Sequence, residues 1–497
     1  MSDMLPISLN LNKRLHPNLR RLRVVFVPGP MDSVLEEVIQ GLQQSFKILG
    51  HQVQETPTDE TDILLTTAPY GQPLNWRQSV MLTARRRFKL KKNPNVFTLV
   101  HVRPQRLQAD LDYLARILKK EPPDPADYKF AGMQPQAYQV LFEQGRRGGP
   151  ILALERIVQS QAMSLRILLV VGEEHPDYLY HFDLVGAYPK SVHGDDPMLF
   201  YHDIALRLTT TISTREVTDH LVHEEKIPLA TWQRWLGPQA MRTAALELGK
   251  RKFFTEMVRV NDLVKVPAVQ DAVANQYSEG CFGTWEPCAP GLIATVTGSA
   301  RPVDKDNISD DDLTLIVGVR PERTGAIVQH VAGKHNDPPS SEAVEMMDMD
   351  TALPRIQLDL PQCDTLAEVP VVRSKLHGHR GIKSYDPALV EYAPMPPAYF
   401  DFIVSCATEA QARGVHDAFA RAQCLLNPHD PRQIAFTILP GHGVVIVEKW
   451  QPHKAPFQLI WEAIDSGQLV IDNHVPQGRM SFQPTSSGQR ILHEEPF

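Results

Sequence analysis

The sequence has few cysteines, and their arrangement indicates neither a disulfide framework nor a thiolate metal site. The five in 497 residues are Cys281, Cys288, Cys363, Cys406 and Cys424. An odd number at wide spacings is unlike the paired cysteines of small secreted domains. Cys281 and Cys288 are the nearest pair, and they lie too far apart for a zinc knuckle.

Long apolar stretches and an excess of one charge are also missing. No segment reaches the roughly 20 apolar residues of a membrane span, and the N-terminus lacks the apolar region of a secretory signal. The net charge is −7, from 51 basic and 58 acidic residues that are mixed along the chain. This composition gives no broad basic surface for nucleic acid. We therefore expect a cytoplasmic protein that binds neither membranes nor nucleic acid.

The first part of the chain alternates apolar strands with amphipathic helices. Strands are predicted at residues 22–30, 62–67, 96–102 and 165–172, with helices at 34–49, 80–88 and 107–118. Such alternation predicts a parallel sheet covered by helices on both faces. The loop Pro28-Gly29-Pro30 has prolines where a G-x-G-x-x-G fingerprint needs glycines, so we expect neither NAD nor FAD to bind there.

The character of the chain changes after these elements. A second α/β unit is expected from residue 179, with strands at 183–188 and 206–213 and then a helix carrying Val217, Leu221 and Val222. After residue 290, strands at 292–297, 313–318, 325–330 and 369–372 are separated by turn residues, which indicates antiparallel β structure or a barrel. We therefore divide the chain into an N-terminal α/β domain at 1–178, a second α/β domain at 179–290 and a β-rich domain at 291–497.

Ionisable residues in glycine-containing turns are the candidate functional residues. Glu279 precedes Gly280, Asp304 and Asp306 follow the next predicted strand, and His442 lies between two glycines at the head of a buried strand. Mixed carboxylate and imidazole ligands suit a divalent ion, with Mn²⁺ first and Mg²⁺ or Co²⁺ as alternatives. Such an ion polarises a carbonyl and its neighbouring hydroxyl, and nearby carboxylates can move a proton between adjacent carbons. This is the chemistry of aldose–ketose isomerisation through an ene-diol.

A second group of polar residues follows in the β-rich part. His377 and His379 alternate in an extended segment, so both imidazoles could point into one cleft. Arg380 comes next, and its guanidinium fork suits a carboxylate, phosphate or sulfonate. Metal ligation, substrate binding and ordinary loop polarity remain open for these residues.

Two short motifs resemble those of the L-arabinose/L-fucose isomerase superfamily. The segment S-E-G-C-F-G-T at 278–284 resembles the family's metal-binding segment of Glu-x-Asp-x-x-Gly type, and G-H-G-V at 441–444 resembles its late histidine before a strand. Asp304, at 304 − 279 = 25 positions after Glu279, corresponds to the family's second carboxylate. His330 is a loose match to a further family histidine.

The resemblance implies two Rossmann-like parallel-sheet domains followed by a β-rich C-terminal domain. It implies a sugar ketol-isomerase that assembles into a trimer or hexamer. Glu279, Asp304 and His442 would hold the metal, and the two carboxylates would relay the proton. Cys281 stands where the family has its usual second acid, so a non-catalytic sugar-binding relative is one alternative.

The substrate would be bound by residues outside these motifs. Trp285 could offer a flat apolar face to a sugar, or it could be a core indole. His377, His379 and Arg380 could bind hydroxyls or an anionic group. Because an anionic group is possible, a metal-dependent lyase or epimerase on an acidic sugar is the second alternative.

Overall fold

The computed structural model describes about two thirds of the chain. The described residues are 20–70, 88–91, 94–117, 166–182, 187–191, 197–213, 217–251, 253, 280–289, 291–297, 305–360, 363, 366–397, 399, 407–440, 442–451, 453–472, 475–476 and 480–494. Glu279, Asp304 and most of the helix predicted at 80–88 lie outside them.

A largely parallel sheet forms the first unit. Its strands are β1 Arg23–Phe26, β2 Gln52–Gln54, β3 Ile63–Pro69, β4 Asn95–Val102, β5 Arg166–Val171, β6 Tyr178–Phe182 and β7 Ala187–Ser191. They lie in the order β2-β1-β3-β4-β5-β6-β7, with β1 to β5 parallel and β6 and β7 antiparallel. The helices of this unit are α1 Ser33–Ile48, α2 Pro104–Ile117 and α3 Pro197–Ser213. The prediction of an α/β fold with parallel strands is confirmed.

Helix α1 forms where the sequence predicts a helix. Asp32 caps it, and its Oδ1 accepts a hydrogen bond from the Leu35 N–H at 3.0 Å. Apolar residues at helical spacing, such as Val38 and Leu42, are buried against the sheet. Gly50 then continues the chain at φ +86°, a left-handed conformation that glycine adopts without strain.

Helix α3 replaces a strand predicted at 206–213, so that prediction is wrong. The run of threonines there favours a strand. Phe200, Ile204 and Leu208 are nevertheless spaced four apart and pack in the core with α1. The Thr209 hydroxyl donates to Ala205 O at 2.7 Å within the helix. Tertiary packing therefore overrides the local preference.

A longer, mainly antiparallel sheet organises the second unit. Its strands are β8 Leu221–Val222, β9 Cys281–Glu286, β10 Gly291–Thr295, β11 Leu313–Val319, β12 Ala326–Gln329, β15 Val372–Gly378, β17 Val390–Tyr392, β18 Ile434–Leu439 and β19 Gly443–Lys449. The order is β17-β18-β19-β15-β9-β10-β11-β12-β8. Strand β8 lies where the sequence predicted a helix, because the backbone of this segment bonds to the neighbouring strand, as in His223 N–H to Val328 O at 2.8 Å.

Two smaller sheets and several helices also belong to the described part of this unit. The strands are β13 Arg355–Leu358 with β14 Ala367–Pro370, and β16 Gly381–Tyr385, β20 Leu469–Asp472, β21 Met480–Pro484 and β22 Arg490–Glu494. The α-helices are α4 Leu229–Trp232, α5 Leu236–Lys250, α6 Ser341–Asp348, α7 Glu409–Phe419, α8 Gln423–Leu426 and α9 Gln458–Asp465. Two 3₁₀ helices lie at Asp310–Asp312 and Met349–Ala352.

The nine-stranded sheet is covered by helices on both faces. Helices α5 and α9 pack on one face, where Leu376 of β15 and Val444 of β19 are buried. Helices α6 and α7 cover the other face, where Val445 is buried. Because successive side chains of a strand point to opposite faces, Lys375 and His377 lie on the α6 and α7 side.

Residues 179–290 build no separate sheet within the described part of the chain. Strands β6 and β7 extend the first sheet beyond residue 178, and β8 and β9 belong to the nine-stranded sheet. The expected second Rossmann-like domain therefore has no parallel sheet of its own among these residues. Its strands instead pair with β5, β12, β10 and β15.

One disulfide joins Cys288, in the turn between β9 and β10, to Cys363. The sequence predicted no disulfide framework. The described residues nevertheless contain this bridge, which connects cysteines 75 positions apart. Cys281 and Cys424 are buried free thiols. None of the helices in the described segments has the length and hydropathy that a membrane crossing requires.

A buried ion pair under β15 allows a test of the packing. Lys375 is 0 % exposed, and its Nζ contacts the Asp350 carboxylate and donates to Met346 O at 2.6 Å. We expect Asp350→Ala to lower the apparent free energy of unfolding by about 3–5 kcal/mol, because it leaves a buried ammonium without its counter-ion. Urea unfolding followed by circular dichroism measures this change.

The exposed pair of Lys454 and Glu462 provides the control for this measurement. Its side chains are 37 % and 46 % exposed. Glu462→Ala should cost less than about 1 kcal/mol, because water screens the pair and solvates the remaining ammonium. Equal losses in the two variants would contradict the role given to the buried pair.

His51 makes the stability of the first unit depend on pH. Its Nδ1 accepts a hydrogen bond from the Leu22 N–H at 3.0 Å, and its Nε2 lies 2.9 Å from Thr209 Oγ1. Burial, with the nearby charge of Arg21, lowers the pKa of His51. The unfolded chain takes up this proton near the ordinary pKa of about 6.5. Titration of His51 therefore does not reduce the free energy of unfolding above that pH. Below it, the free energy of unfolding falls as the pH falls, because the unfolded chain binds the proton first.

We expect the Tm of His51→Gln to fall less than that of the wild type when the pH is lowered. Thermal unfolding of both proteins at about pH 7.5 and about pH 5.5 measures this difference, because the variant has no titratable side chain at position 51. Equal falls in Tm for the two proteins would show that His51 does not contribute.

Candidate functional site

Three imidazoles meet where β15 ends and β19 begins. His377 lies in β15, His379 follows that strand, and His442 precedes β19. The two strands are antiparallel neighbours, with His377 opposite Val445. One ligand nitrogen of each ring lies within 4.8 Å of the others. We refer to these residues as the histidine triad; His377 and His442 are buried and His379 is half-buried.

Two glycines allow the segments that carry the triad to approach each other. A Cβ on Gly443 would lie 2.2 Å from Gly378 O and 3.0 Å from His379 Cα. A Cβ on Gly378 would lie 2.4 Å from Cε1 of Phe253. A side chain at position 443 would therefore push the backbone of His379 away from His442.

Hydrogen bonds from outside the triad orient two of the rings. The Nδ1 of His377 lies 3.1 Å from Val444 O, which can only accept. The Nδ1 of His442 lies 3.1 Å from Oε1 of Gln411, whose Nε2 donates to Glu345 Oε1 at 2.8 Å. Both rings therefore carry their proton on Nδ1 and direct an unprotonated Nε2 to the triad.

The spacing of two of the ring nitrogens fits a metal ion. His379 Nε2 and His442 Nε2 are 3.2 Å apart, a distance that an N–H···N hydrogen bond also permits. Two nitrogens bound at about 2.0–2.1 Å to one tetrahedral ion would lie about 3.3 Å apart. Among the described residues nothing hydrogen-bonds to the buried Nε2 of His377. The triad could therefore hold a divalent cation.

Two glutamates of α6 lie on the same face of the nine-stranded sheet as the triad. Glu342 and Glu345 are three positions apart, so they share one face of the helix. Burial opposes ionisation of Glu342, but positive charge on His377 and His442 and the hydroxyl of Ser340, at 2.5 Å, lower its pKa. Such charge is present when the imidazoles are protonated or when they hold a cation. Positive charge at the triad therefore favours the carboxylate form of Glu342.

The other ionisable groups favour their neutral forms. Burial and the neighbouring charge of Glu342 raise the pKa of Glu345 well above its ordinary value. Burial lowers the pKa of His377, which favours the neutral ring that can bind a metal. Burial also raises the pKa of the Cys281 thiol. The site therefore offers imidazole nitrogens and one carboxylate rather than a thiolate.

The structure brings together some of the predicted site residues. His442 meets His377 and His379, two substrate-binding candidates whose imidazoles could, from the sequence, point into one cleft. Glu279 and Asp304 lie outside the described residues, so their part in the site stays a prediction. Arg380 directly follows His379 and is half-buried.

Other candidates lie elsewhere or have a structural role. Trp285 is 4 % exposed and packs in the core beneath the guanidinium of Arg355, at 5.6 Å, as expected of a core indole. Cys281 is buried opposite His377 and donates to Met346 Sδ at 3.9 Å. His330 follows β12 and is not part of the triad cluster among the described residues.

Sequence reasoning missed the residues that surround the triad. Glu342, Glu345 and Gln411 lie on α6 and α7, far from the histidines along the chain. The spacing of the two glutamates on one amphipathic helix was the available signal, and it is common on solvated helices. Gln411 gave no signal, because its role depends on which helix covers the sheet.

Comparison with known proteins finds no match: no protein-family model, no curated protein and no solved structure corresponds to this chain. The resemblance to the arabinose/fucose isomerase superfamily therefore stays a prediction. The function has to be argued from the residues and their geometry.

Gln411 allows a test of the site that does not require a known substrate. We expect Gln411→Leu to weaken Co²⁺ binding about 10- to 100-fold, because the His442 ring would lose the contact of its Nδ1 with Gln411 Oε1. Titration of the visible Co²⁺ absorption measures the affinity. The exposed Gln423, changed to Leu, is the matched control; equal affinities for the two variants would show that Gln411 does not orient His442.

Proposed function

We propose that this protein is a metal-dependent enzyme whose divalent ion is held by His377, His379 and His442. The convergence of three imidazole nitrogens carries this proposal, because one of them, the buried Nε2 of His377, has no hydrogen-bond partner among the described residues. Burying such a nitrogen without a partner is costly. A cation would remove that cost.

The donor set restricts the choice of ion. Imidazole nitrogen suits Zn²⁺, Co²⁺, Ni²⁺ and Fe²⁺, whereas Mg²⁺ prefers oxygen. Among the ions expected from the sequence, Co²⁺ therefore fits the triad best, because Mn²⁺ and Mg²⁺ prefer oxygen ligands. Three protein ligands leave a position open for substrate, as in catalytic zinc sites.

The first candidate reaction is aldose–ketose isomerisation of a small sugar. A bound divalent ion would polarise the carbonyl and the adjacent hydroxyl of the open-chain substrate. The Glu342 carboxylate takes the proton from the carbon beside the carbonyl and returns it to the neighbouring carbon. The hydroxyl proton moves between the two oxygens. Every C–H or O–H bond that breaks is replaced by a new one, so no oxidant or reductant is consumed.

The other parts of the sequence prediction belong to the same proposal. Glu279 and Asp304 are further candidates for the metal site and the proton relay, and a trimer or hexamer would follow from the family resemblance. Cytoplasmic location is also retained as a prediction, although the bridge between Cys288 and Cys363 is more typical of oxidising compartments. Arg380 beside the triad supports a second candidate, lyase or epimerase chemistry on an acidic sugar.

Metal content and turnover test this proposal together. Purified protein should contain close to one equivalent of a first-row transition metal, and His442→Ala should lose it because one of three ligands is gone. The exposed His429, changed to Ala, is the matched control and should keep the metal. Elemental analysis after dialysis gives both values. Retention of the metal by His442→Ala would reject the centre.

The reaction itself is measured by NMR in deuterated water with a panel of aldoses, ketoses and acidic sugars. Removal of metal by a chelator should abolish turnover, and added Co²⁺, Mn²⁺ or Zn²⁺ should restore it. Glu342→Gln should lower kcat about 100-fold or more, because an amide cannot accept the proton, while metal content stays unchanged. An unchanged kcat in Glu342→Gln with a large loss in Glu279→Gln would move the base to Glu279.

A further inference from the structure

A cavity opens on the first unit, on the other sheet from the histidine triad. Its volume is about 430 Å³, which lies within the range of about 300–1,000 Å³ that is usual for small-molecule sites. The loops after β1, β3, β4 and β5 form its walls. It therefore lies at the carboxyl edge of the parallel sheet.

The strand order makes this edge the expected place for a ligand. Strand β1 has β2 on one side and β3 on the other, so the chain changes direction across the sheet between β1 and β3. In open α/β sheets, ligands bind in the crevice outside the carboxyl ends of the strands at this reversal. The cavity includes residues that follow both strands, such as Pro30 and Tyr70.

The loop after β1 excludes one class of ligand. The Gly29 N–H donates to Thr67 Oγ1 at 2.8 Å, and a Cβ on Gly29 would lie 2.7 Å from Thr67 O. This loop is therefore closed against the end of β3, and it does not present its glycine amide to a pyrophosphate. A dinucleotide is excluded on this ground, whereas a ligand with a single phosphate needs no such loop.

The acidic residues of the cavity are already engaged by neighbours. Asp32 Oδ2 contacts His101 Nδ1 at 2.6 Å, and Glu173 accepts from Gln105 Nε2 at 2.8 Å. His101 is held on its other side by Gly172 O, at 2.8 Å from Nε2. Both oxygens of Asp32 are engaged, because its Oδ1 accepts from the Leu35 N–H at 3.0 Å. Glu173 is bonded through Oε2, so its Oε1 can accept from a hydroxyl group.

The basic residues of the cavity keep more hydrogen-bonding groups available for a ligand than the acidic residues do. Arg103 lines the cavity and is exposed, and we find no ion pair for it among the described residues. Arg106 donates from Nε to Asp110 at 3.0 Å, which leaves its two terminal nitrogens for a ligand. Two guanidinium groups on one wall are suited to an oxyanion, which they can bind in a bidentate manner. Met31, 41 % exposed, adds an apolar surface at the same place.

We propose that this cavity binds a phosphorylated sugar, either as a free sugar phosphate or as the sugar phosphate of a nucleoside monophosphate. Arg103 and Arg106 bind the phosphate. The Oε1 of Glu173 accepts from a sugar hydroxyl. The proposal does not depend on the metal centre, because no triad residue lines the cavity.

Calorimetry on the full chain tests this site. The probes are ribose 5-phosphate, adenosine monophosphate, inorganic phosphate and uncharged ribose. We expect both sugar phosphates to bind more tightly than inorganic phosphate and ribose, and their affinity to fall as salt is raised. Arg103→Ala should weaken binding about tenfold or more, because it removes a charged fork from the phosphate. Tighter binding of adenosine monophosphate than of ribose 5-phosphate would support the nucleotide form, and equal binding the free sugar phosphate.

Arg23, at the amino end of β1 on the opposite edge of the same sheet, is the matched control. Arg23→Ala should bind both sugar phosphates as the wild type does, and circular dichroism checks that both variants are folded. The proposal is overturned if the wild type binds neither sugar phosphate, if inorganic phosphate binds as tightly as they do, or if Arg103→Ala and Arg23→Ala have the same affinity. Metal analysis of the same samples reports on the triad separately.

Discussion

The antiparallel pairing of β15 with β19 is the constraint on which the second unit depends. The ladder fixes His377 opposite Val445 and ends where Gly378 and Gly443 allow the two backbones to touch. Its apolar residues are buried on both faces of the sheet. A shift of one residue would turn every side chain of a strand to the opposite face. The register therefore decides both the packing of the core and the side to which the imidazoles point.

That side of the sheet is unusually polar for a buried surface. Besides the triad, it contains the pair of Lys375 and Asp350, and Glu345 hydrogen-bonded to Gln411. Burying such groups costs free energy unless each finds a partner, and a packed apolar layer of the same shape is often at least as stable. Perturbed ionisable groups gathered in one place are typical of functional sites.

The sequence predicted individual helices and strands better than it predicted which of them lie side by side. Apolar runs and helical periodicity identified most of the predicted strands and helices that fall within the described residues. The threonine-rich segment 206–213 was misassigned, because its helix is stabilised by packing against α1 rather than by propensity. His377 and His379 were expected to share a face, and His442 to begin a strand. Their meeting could not be predicted, since it depends on which strands lie side by side, and Gln411 reaches them from a separate helix.

Helix α3 belongs to both units at once. Ile204 and Leu208 pack in the core of the first sheet, whereas Leu206 lies in the core beside the second sheet, with Met349 and Phe419. Unfolding of either core would expose apolar side chains of the same helix to water. The halves are therefore expected to melt as one cooperative body, and neither should behave as an autonomous folding domain when expressed alone.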